Sequence, residues 1–311
     1  MSAGRTAVAP VPGVAPAPDD ANPGVPVDEA GRRGHVAALM ARARAALDTP
    51  RPIGADVPIR VGVDLGTAYT VITVTDADGD PLAVATTFAD VVRDGVVWDF
   101  AGASRVVSGL RHELEVATGR RLTCGAVTLP PGVDASDARA HRYVLESAGI
   151  ECATVVDEPT AANAVLRLRD GAVVDIGGGT TGTAVVRDGV VVATDDEPGG
   201  GTHLSLVLAG GLGVPFEEAE LLKRDPAFQQ RYLPLAVPVF ERQAGIVARA
   251  VAGHDVPAVV LVGGTCAFAG IDRVIARVTG VPCTVAPEPA LVTPLGVACF
   301  APPLTDDGAL P

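Results

Sequence analysis

Two aspartates that are each followed by glycine and threonine are the residues of this chain best suited to chemistry. Asp64 precedes Gly66 and Thr67, and the second motif consists of Asp175, Gly177, Gly178, Gly179 and Thr180. Glycine lets backbone N–H groups come close to phosphate oxygens because no Cβ stands in the way. An aspartate at the end of a strand can hold Mg²⁺ through water, since this ion prefers oxygen ligands. The two motifs together predict loops that clamp a polyphosphate from opposite sides.

The two motifs lie in stretches that read as copies of one unit. Each copy predicts a strand, the Asp-Gly-Thr turn, a second strand, an Asp-Gly hairpin and a third strand. From the motif aspartate to the hairpin glycine the copies run from 64 to 79 and from 175 to 189, which are almost equal lengths. An internal repeat of this kind predicts two similar lobes that each begin with a β-meander.

Strands and helices alternate after each meander, which favours an α/β fold with covered sheets. A helix is predicted to open at Asp157-Glu158-Pro159, because proline is well suited to a first helical turn. The other predicted helices cover residues 105–116, 135–147, 202–209, 216–223, 238–252, 268–278 and 293–300, and the later strands cover 122–129, 152–156 and 258–262.

The N-terminal region divides into a tail and a helix. Residues 1–27 are rich in Ala, Pro and Gly with no periodicity, so a disordered tail is predicted there. Residues 28–58 are predicted to be an amphipathic helix and a linker, because apolar residues recur at 36, 39, 40, 43 and 47. The helix is expected either to pack on the main domain or to serve as a docking peptide for a partner. A second tail is predicted over 302–311.

Composition excludes several classes of function. The 311 residues carry a net charge of −13, which disfavours binding to nucleic acid or to an anionic membrane. The longest apolar stretch, residues 204–216, contains glycines and a proline and is shorter than the roughly 20 residues of a membrane span. Five cysteines without a CxxC pair indicate the reducing cytosol, with neither a disulfide framework nor a zinc site.

The pair of glycine loops resembles those of the actin/Hsp70/hexokinase superfamily of ATPase domains. Three further segments occur in the order of that superfamily: residues 156–162 resemble its first connecting helix, 261–265 its adenosine loop and 293–297 its second connecting helix. The resemblance implies a two-lobed actin-like ATPase fold of the duplicated ribonuclease H-like type. The first lobe would span 59–162 and the second 163–301, with the C-terminal connecting helix returning to the first lobe.

Three other segments resemble a smaller group within that superfamily. Residues 90–100, 129–132 and 145–149 are similar to the EutJ family, small Hsp70-like proteins encoded with ethanolamine-utilisation microcompartments. This resemblance implies an ATP-binding switch that acts as a chaperone or reactivating factor. Its expected partner is a microcompartment enzyme or shell protein, and its expected location is the cytosol or the microcompartment.

The resemblance also implies roles for individual residues, with ATP or ADP and Mg²⁺ as the expected cofactors. Asp64 and Asp175 would hold the hydrated Mg²⁺, and Glu158 would position the attacking water or the metal; Glu158 is otherwise a helix-capping acid. The nucleoside would be bound by Glu220, Lys223, Arg224, Gly263, Gly264 and Thr265. Lys223 is the single lysine of the chain, and Glu220 and Lys223 are otherwise a solvated salt pair on a helix.

The sequence also departs from the Hsp70 pattern. Ala68 replaces a frequent threonine, Gly182 an aspartate and Ala267 the adenine-stacking arginine. The lysine that contacts the phosphates has no counterpart, because no lysine precedes Lys223, and the sequence does not choose among Arg93, Arg105 and Arg111 as its substitute. ATP binding is therefore a firmer expectation than fast hydrolysis. A non-hydrolysing nucleotide-binding scaffold and an actin-like filament protein are the alternatives.

Overall fold

In the computed structural model, residues 29–305 are described, so the predicted tail over 1–27 and residues 306–311 lie outside the described part. The first half of the chain contains one five-stranded sheet with the strand order β3-β2-β1-β6-β7, in which β1 to β3 are antiparallel and β6 and β7 run parallel to β1. The elements are α1 (Glu29–Asp48), β1 (Ile59–Leu65), β2 (Tyr69–Asp76), β3 (Pro81–Phe88), β4 (Val92–Arg93), β5 (Val96–Val97), α2 (Phe100–Thr118), β6 (Cys124–Leu129), α3 (Ala135–Ser147), β7 (Glu151–Asp157) and α4 (Glu158–Leu166).

The second half repeats this plan with the strand order β10-β9-β8-β11-β12. Its elements are β8 (Gly171–Ile176), β9 (Thr180–Arg187), β10 (Val190–Pro198), α5 (Gly201–Leu212), α6 (Phe216–Leu222), α7 (Pro226–Ala250), β11 (Val259–Val262), a 3₁₀ turn (Gly264–Ala267), α8 (Ile271–Thr279), β12 (Cys283–Val285) and α9 (Pro289–Ala298). The equivalent strand orders confirm the predicted duplication, and the two mixed five-stranded sheets form the two-lobed actin-like ATPase fold.

Each sheet has its own apolar core. In the first lobe α2 and α3 pack against the sheet, and Leu110, Leu114 and Leu145 are buried among its strands. In the second lobe the core combines β8 and β11 with α5, α7 and α8 around the buried ring of Phe240. Because each lobe buries its own apolar side chains, each can position a glycine loop at the end of its first strand.

The helices α4 and α9 join the two lobes. They cross so closely that a Cβ built on Gly296 would lie 1.9 Å from the carbonyl oxygen of Ala161. On its other side α9 packs against β1, where a Cβ on Gly62 would lie 2.6 Å from the backbone nitrogen of Ala298. Arg60 donates from β1 to the carbonyl of Ala301 (2.7 Å), just beyond the end of α9. The C-terminal helix therefore returns to the first lobe and is held there.

The helix α1 packs on the body of the protein. Its buried residues Val36, Leu39, Met40, Ala43 and Ala46 share one apolar cluster with α4, α9 and residues of both sheets. Its polar face is tied to the body at three points, by Arg32 to the carbonyl of Leu166 (3.1 Å), Arg42 to Asp80 (2.7 Å) and Arg44 to Glu288 (3.9 Å). These contacts match the first of the two roles expected for this helix.

Several predicted boundaries are wrong. The sequence predicts that this helix begins at Pro238. In the structure α7 begins at Pro226 and contains Pro234 and Pro238 in its interior. The predicted helix over 268–278 begins later, at Ile271, behind the 3₁₀ turn, and α9 begins at Pro289, before the predicted 293. The strands β4, β5 and β12 are two or three residues long, and their short apolar runs were not predicted.

The C-terminal boundary also moves. Leu304 is fully buried and forms a β-bridge with Ile59, so the packed body reaches beyond the predicted end of the second lobe at 301. The apolar stretch 204–216 proves to be α5 and the turn before α6. Among residues 29–305, none of the helices combines the length and the apolar character that crossing a membrane requires.

We expect Gly296→Ala to destabilise the protein, because the new methyl group would collide with the backbone of α4. Overpacking of a tight core costs about 1–3 kcal/mol or more, which should appear as a lower urea midpoint of unfolding. The control is Gly109→Ala in α2, where no atom lies within 4 Å of the new Cβ. That change should leave stability equal or raise it by up to about 1 kcal/mol. Equal midpoints for the two variants would contradict the tight crossing.

Candidate functional site

The two glycine loops meet where the lobes face each other. A Cβ built on Gly178 would lie 2.9 Å from the Cβ of Ala68 and 3.3 Å from that of Thr67. A Cβ on Gly179 would lie 2.7 Å from Thr67 Oγ1. Only glycine therefore allows the second loop to approach the first this closely, and the two motifs that are 111 positions apart in sequence form one site.

The second loop is held in place through its carbonyl oxygens. The backbone N–H of Gly201 donates to Gly177 (2.9 Å) and that of Thr202 to Gly178 (2.8 Å), so the start of α5 anchors the loop. Thr265 Oγ1 also donates to the carbonyl of Gly177 (2.8 Å). The N–H groups of Gly178 and Gly179 form no backbone hydrogen bond within residues 29–305. They are available to an anion, as phosphate-binding loops require.

Three carboxyl groups lie beside these loops. Asp64 is on β1, Asp175 near the end of β8 and Glu158 in the first turn of α4. Thr128 Oγ1 donates to Asp64 (2.7 Å), and Thr293 Oγ1 donates to Asp175, so the first two carboxylates have fixed orientations. We call Asp64, Glu158 and Asp175 the acidic centre.

Burial dominates the electrostatics of the acidic centre. Desolvation raises the pKa of Asp64 to about 6, and desolvation and the charge of Asp64 raise the pKa of Asp175 to about 7. The pKa of Glu158 is raised well above its ordinary value by burial first and then by the charges of Asp175 and Asp64. Like charges without a cation oppose one another's ionisation, so a bound cation would be strongly favoured here.

The donor set fits a hydrated magnesium ion. All three groups offer carboxylate oxygens, which are the ligands that Mg²⁺ prefers, and it usually keeps several of its waters. Within the described part of the chain, no three His, Cys, Asp or Glu side chains are arranged to bind one metal ion directly.

Glu158 does not act as the N-cap of its helix. That position belongs to Asp157, whose side chain accepts from the backbone N–H of Thr160 (2.9 Å). Glu158 follows as the first residue of α4, and its carboxyl group is directed to the neighbourhood of Asp64 and Asp175, whose charges it experiences. Asp157 therefore occupies the N-cap position itself, and Glu158 is an acidic residue of the first helical turn.

Two of the residues expected to bind the nucleoside, Glu220 and Lys223, belong to a buried network. Lys223 Nζ donates to Glu220 (2.6 Å), to Ser205 Oγ (2.9 Å) and to the carbonyl of Gly201 (3.4 Å). The side chains of Lys223 and Glu220 are only 11% and 8% exposed, so the pair is not a solvated helix face. The network joins α6 to the start of α5, directly behind the second glycine loop.

Arg224 crosses from the second lobe to the first. Its guanidinium lies 4.1 Å from the centre of the Tyr69 ring, a cation–π contact. Tyr69 in turn packs edge-on against Phe88 with ring centres 5.5 Å apart. Gly263 adopts a φ of +90°, and a Cβ there would lie 2.3 Å from Asp175 Oδ1, so the loop 263–265 also closes on the acidic centre.

A cavity of about 560 Å³ opens between the lobes, with both glycine loops in its wall. Most of the ionisable side chains that line the cavity were not expected there from the sequence. They are Asp90, Arg93, Asp94, His203, Glu217 and Arg242. The Asp94-Gly95 pair, a hairpin turn signal between apolar residues, was the available clue to the β4–β5 hairpin.

Of the three arginines that the sequence left open, Arg93 lines the cavity. Its guanidinium binds Asp90 through two hydrogen bonds (2.9 and 3.2 Å) and lies 4.1 Å from the centre of the half-exposed Trp98 ring. Arg111 is instead bound to Glu115 and to the carbonyl of Ala148. Arg105 is exposed on α2 and is not part of the cavity wall.

Comparisons with known proteins agree with this architecture. Residues 172–296 match the model of the cell division protein FtsA, and residues 83–206 match that of the MreB/Mbl proteins. The MreB5 structure of Spiroplasma citri bound to ADP superimposes with a TM-score of 0.63 over 78% of this chain and 95% of that one, at 15% identity. A structure of the same protein bound to AMPPNP superimposes with a TM-score of 0.59. These matches show the shared fold.

Nearer relatives identify the family. The ethanolamine utilization protein EutJ of Salmonella typhimurium is 46% identical over 73% of this chain and 80% of its own length, and that of Escherichia coli is 44% identical over 75% and 82%. The crystal structure of EutJ from Carboxydothermus hydrogenoformans superimposes with a TM-score of 0.81 at 42% identity, covering 86% of this chain and 99% of that one. The chain therefore belongs to the EutJ family of ethanolamine utilization proteins, which are built on the actin/Hsp70-like ATPase fold.

Proposed function

We propose that this chain binds ATP and Mg²⁺ between its lobes and hydrolyses ATP slowly. The separation of the lobes that follows hydrolysis would act as a switch. The observation that carries the proposal is the meeting of two glycine loops beside a buried acidic centre. The fold relatives include proteins bound to ADP and AMPPNP, which supports a nucleotide as the ligand.

The residues around the loops divide the work of binding. The free N–H groups of Gly178 and Gly179 would donate to phosphate oxygens, with Gly66, Thr67, Gly177 and Thr180 shaping the two loops around them. The nucleoside would lie against Arg224 and the loop Gly263-Gly264-Thr265. Glu220 and Lys223 already bind each other, and we propose that they support the ribose site from behind α5.

The acidic centre would hold the hydrated Mg²⁺ and the attacking water. Magnesium bound to the phosphates supplies positive charge that stabilises the transition state of phosphoryl transfer. Asp64 and Asp175, oriented by Thr128 and Thr293, would accept hydrogen bonds from the ion's water shell. Glu158 would orient the water that attacks the terminal phosphate and accept its proton.

The switch would act through the connecting helices. Loss of the terminal phosphate removes the group that both loops contact, so the lobes would be free to separate. The crossing of α4 and α9 leaves no room for a side chain at Gly296, so this crossing would serve as the hinge. The relatives' name, ethanolamine utilization protein, supports a partner that takes part in ethanolamine utilization, and a microcompartment enzyme or shell protein in the cytosol is the partner that we propose.

A nucleotide-binding scaffold that scarcely hydrolyses ATP is the second candidate. It is favoured by the absence of any lysine before Lys223 and by the engagement of Arg93 with Asp90 and Trp98. Tight ATP binding without phosphate release over hours would support the scaffold. Sedimentation of the protein with ATP at high concentration would identify an actin-like filament instead.

Glu158→Gln should keep ATP binding and lose ATP hydrolysis. The amide preserves the size of the side chain but cannot accept the proton, and removal of a general base lowers rates by about 10²–10⁴-fold. Phosphate release and calorimetric ATP binding measure the two properties separately. The control is Glu151→Gln, because Glu151 is exposed on β7.

Two outcomes would contradict this assignment. If wild type and Glu158→Gln release phosphate at the same rate, Glu158 has no role in hydrolysis. If the wild-type protein binds neither ATP nor ADP, the nucleotide function itself is wrong.

Without divalent cations, stability should fall as pH rises from about 4 to about 7. Asp175, with a pKa of about 7, retains its proton in the folded state over this range, whereas the unfolded chain releases it near 4. One pKa unit corresponds to about 1.4 kcal/mol, so Asp175→Asn should be more stable than wild type at pH 7.5, with the difference shrinking towards pH 4. Urea unfolding in EDTA measures this, with the exposed Asp78→Asn as control. Parallel pH profiles for wild type and Asp175→Asn would refute the electrostatic account.

A further inference from the structure

A fourth carboxylate, Asp196, lies next to the acidic centre. Asp196 on β10 is the cross-strand partner of Gly182 on β9. A Cβ built on Gly182 would lie 3.3 Å from Asp196 Oδ1 and 3.4 Å from Cγ of Pro159, the residue after Glu158. The carboxyl group of Asp196 therefore fills the space that a side chain at 182 would enter, where the Hsp70 pattern has an aspartate.

One oxygen of Asp196 is buried without a hydrogen-bond partner. Within residues 29–305, Oδ1 is shielded from solvent and accepts no hydrogen bond, while the Thr180 side chain of the second glycine loop interacts with the carboxyl group. An unsatisfied buried acceptor costs about 1–3 kcal/mol, so native structures rarely retain one unless a water, ion or ligand completes it. Oδ1 is the atom that faces Gly182 and the start of α4.

The charges around Asp196 favour a cation at this point. Asp195 and Glu197 flank Asp196 on β10, and the charge of Asp94 in the β4–β5 hairpin also acts on it. The charge of Asp196 in turn raises the pKa of Glu158 and of Asp175. The guanidinium of Arg249 forms an ion pair with Glu197 (2.7 Å) rather than with Asp196. A hydrated divalent ion would satisfy Oδ1 and neutralise the surrounding acids together.

We infer that Asp196 is a positioning residue of the nucleotide site, which holds a water of the Mg²⁺ shell from β10 in place of a side chain at Gly182. The inference rests on the proposed function. Its structural basis is the cross-strand register, the unpartnered Oδ1 and the lack of a side chain at Gly182, where a Cβ would lie 3.2 Å from Cδ of Pro131 as well as close to Asp196. Asp195, one residue earlier, is exposed and points away from this space, as alternation along a strand requires.

The test measures ADP binding by calorimetry as Mg²⁺ is varied. Asp196→Asn should raise the Mg²⁺ concentration for half-maximal ADP binding about tenfold or more, the size of effect known for residues that orient metal ligands. ADP binding in EDTA should be unchanged. The matched control, Asp195→Asn, should show the wild-type dependence on Mg²⁺.

A relocated carboxylate gives the sharpest result. Asp196→Gly should raise the Mg²⁺ concentration for half-maximal ADP binding as Asp196→Asn does, and the double change Gly182→Asp with Asp196→Gly should lower it again towards the wild-type value, because the new side chain enters the vacated space. Thermal unfolding checks that each variant is folded, and Asp196→Asn, which conserves shape, decides the matter if the double variant is not.

The outcomes separate the two proposals. A wild-type protein that binds no nucleotide overturns the proposed function. If ADP binding by the wild type depends on Mg²⁺, and Asp196→Asn shows the same dependence on Mg²⁺ as Asp195→Asn, the role of Asp196 is overturned. A folded double variant that fails to recover the dependence also contradicts the shared position of the two carboxylates.

Discussion

The burial of like charges at the junction of the lobes is the constraint on which the rest of this structure depends. Asp64, Glu158 and Asp175 come from three different elements and meet at the junction of the lobes, where Asp175 is buried, Asp64 and Glu158 are partly exposed, and desolvation raises the pKa of all three. Folding must bear the cost of desolvating these groups, and the raised pKa values of Asp64 and Asp175 express that cost. A protein retains such an arrangement where a bound cation and its ligand recover the energy, so the centre links folding to function.

The surroundings of the acidic centre are correspondingly rigid. Hydroxyl groups on β6 and α9 orient two of the carboxylates, and the start of α5 anchors the second glycine loop by its carbonyls. Glycine at 178, 200 and 263 permits contacts that any Cβ would prevent. The glycine loops are thus defined by tight backbone packing, and within residues 29–305 the N–H groups of Gly178 and Gly179 form no backbone hydrogen bond.

The α1 helix adds a contact that the two-lobed body does not itself require. It covers an apolar cluster to which α4, α9 and both sheets contribute, and its arginines reach Asp80 in the first lobe and Glu288 just before α9. The α1 helix therefore contacts the first lobe, the connecting helices and the second lobe together.

Local signals explain where sequence-based prediction worked and where it failed. Asp-Gly turns mark the ends of strands, and an aspartate at the N-cap, such as Asp134 before α3, marks the start of a helix. The predicted bounds of the meanders and of α3 therefore agree with the structure to within a few residues. In α7, two interior prolines imitate a helix start, but tertiary packing of Ala236, Val239 and Phe240 keeps the helix continuous. The short strand β12 pairs with β11 across α8, which no local pattern reveals, whereas β4 and β5 form a local hairpin of two residues per strand.

The sequence by itself determined the repeat, the two glycine loops, the α/β class and the family resemblance, because these depend on residue types at short, regular spacings. Only the tertiary structure decided which side chains share the site. Asp196 joins it through cross-strand register with Gly182, Thr128 and Thr293 join it from other elements, and Lys223 turns inward to Glu220 and Ser205. Such neighbours are set by how sheets and helices pack against one another, a relation that spacing along the chain does not encode.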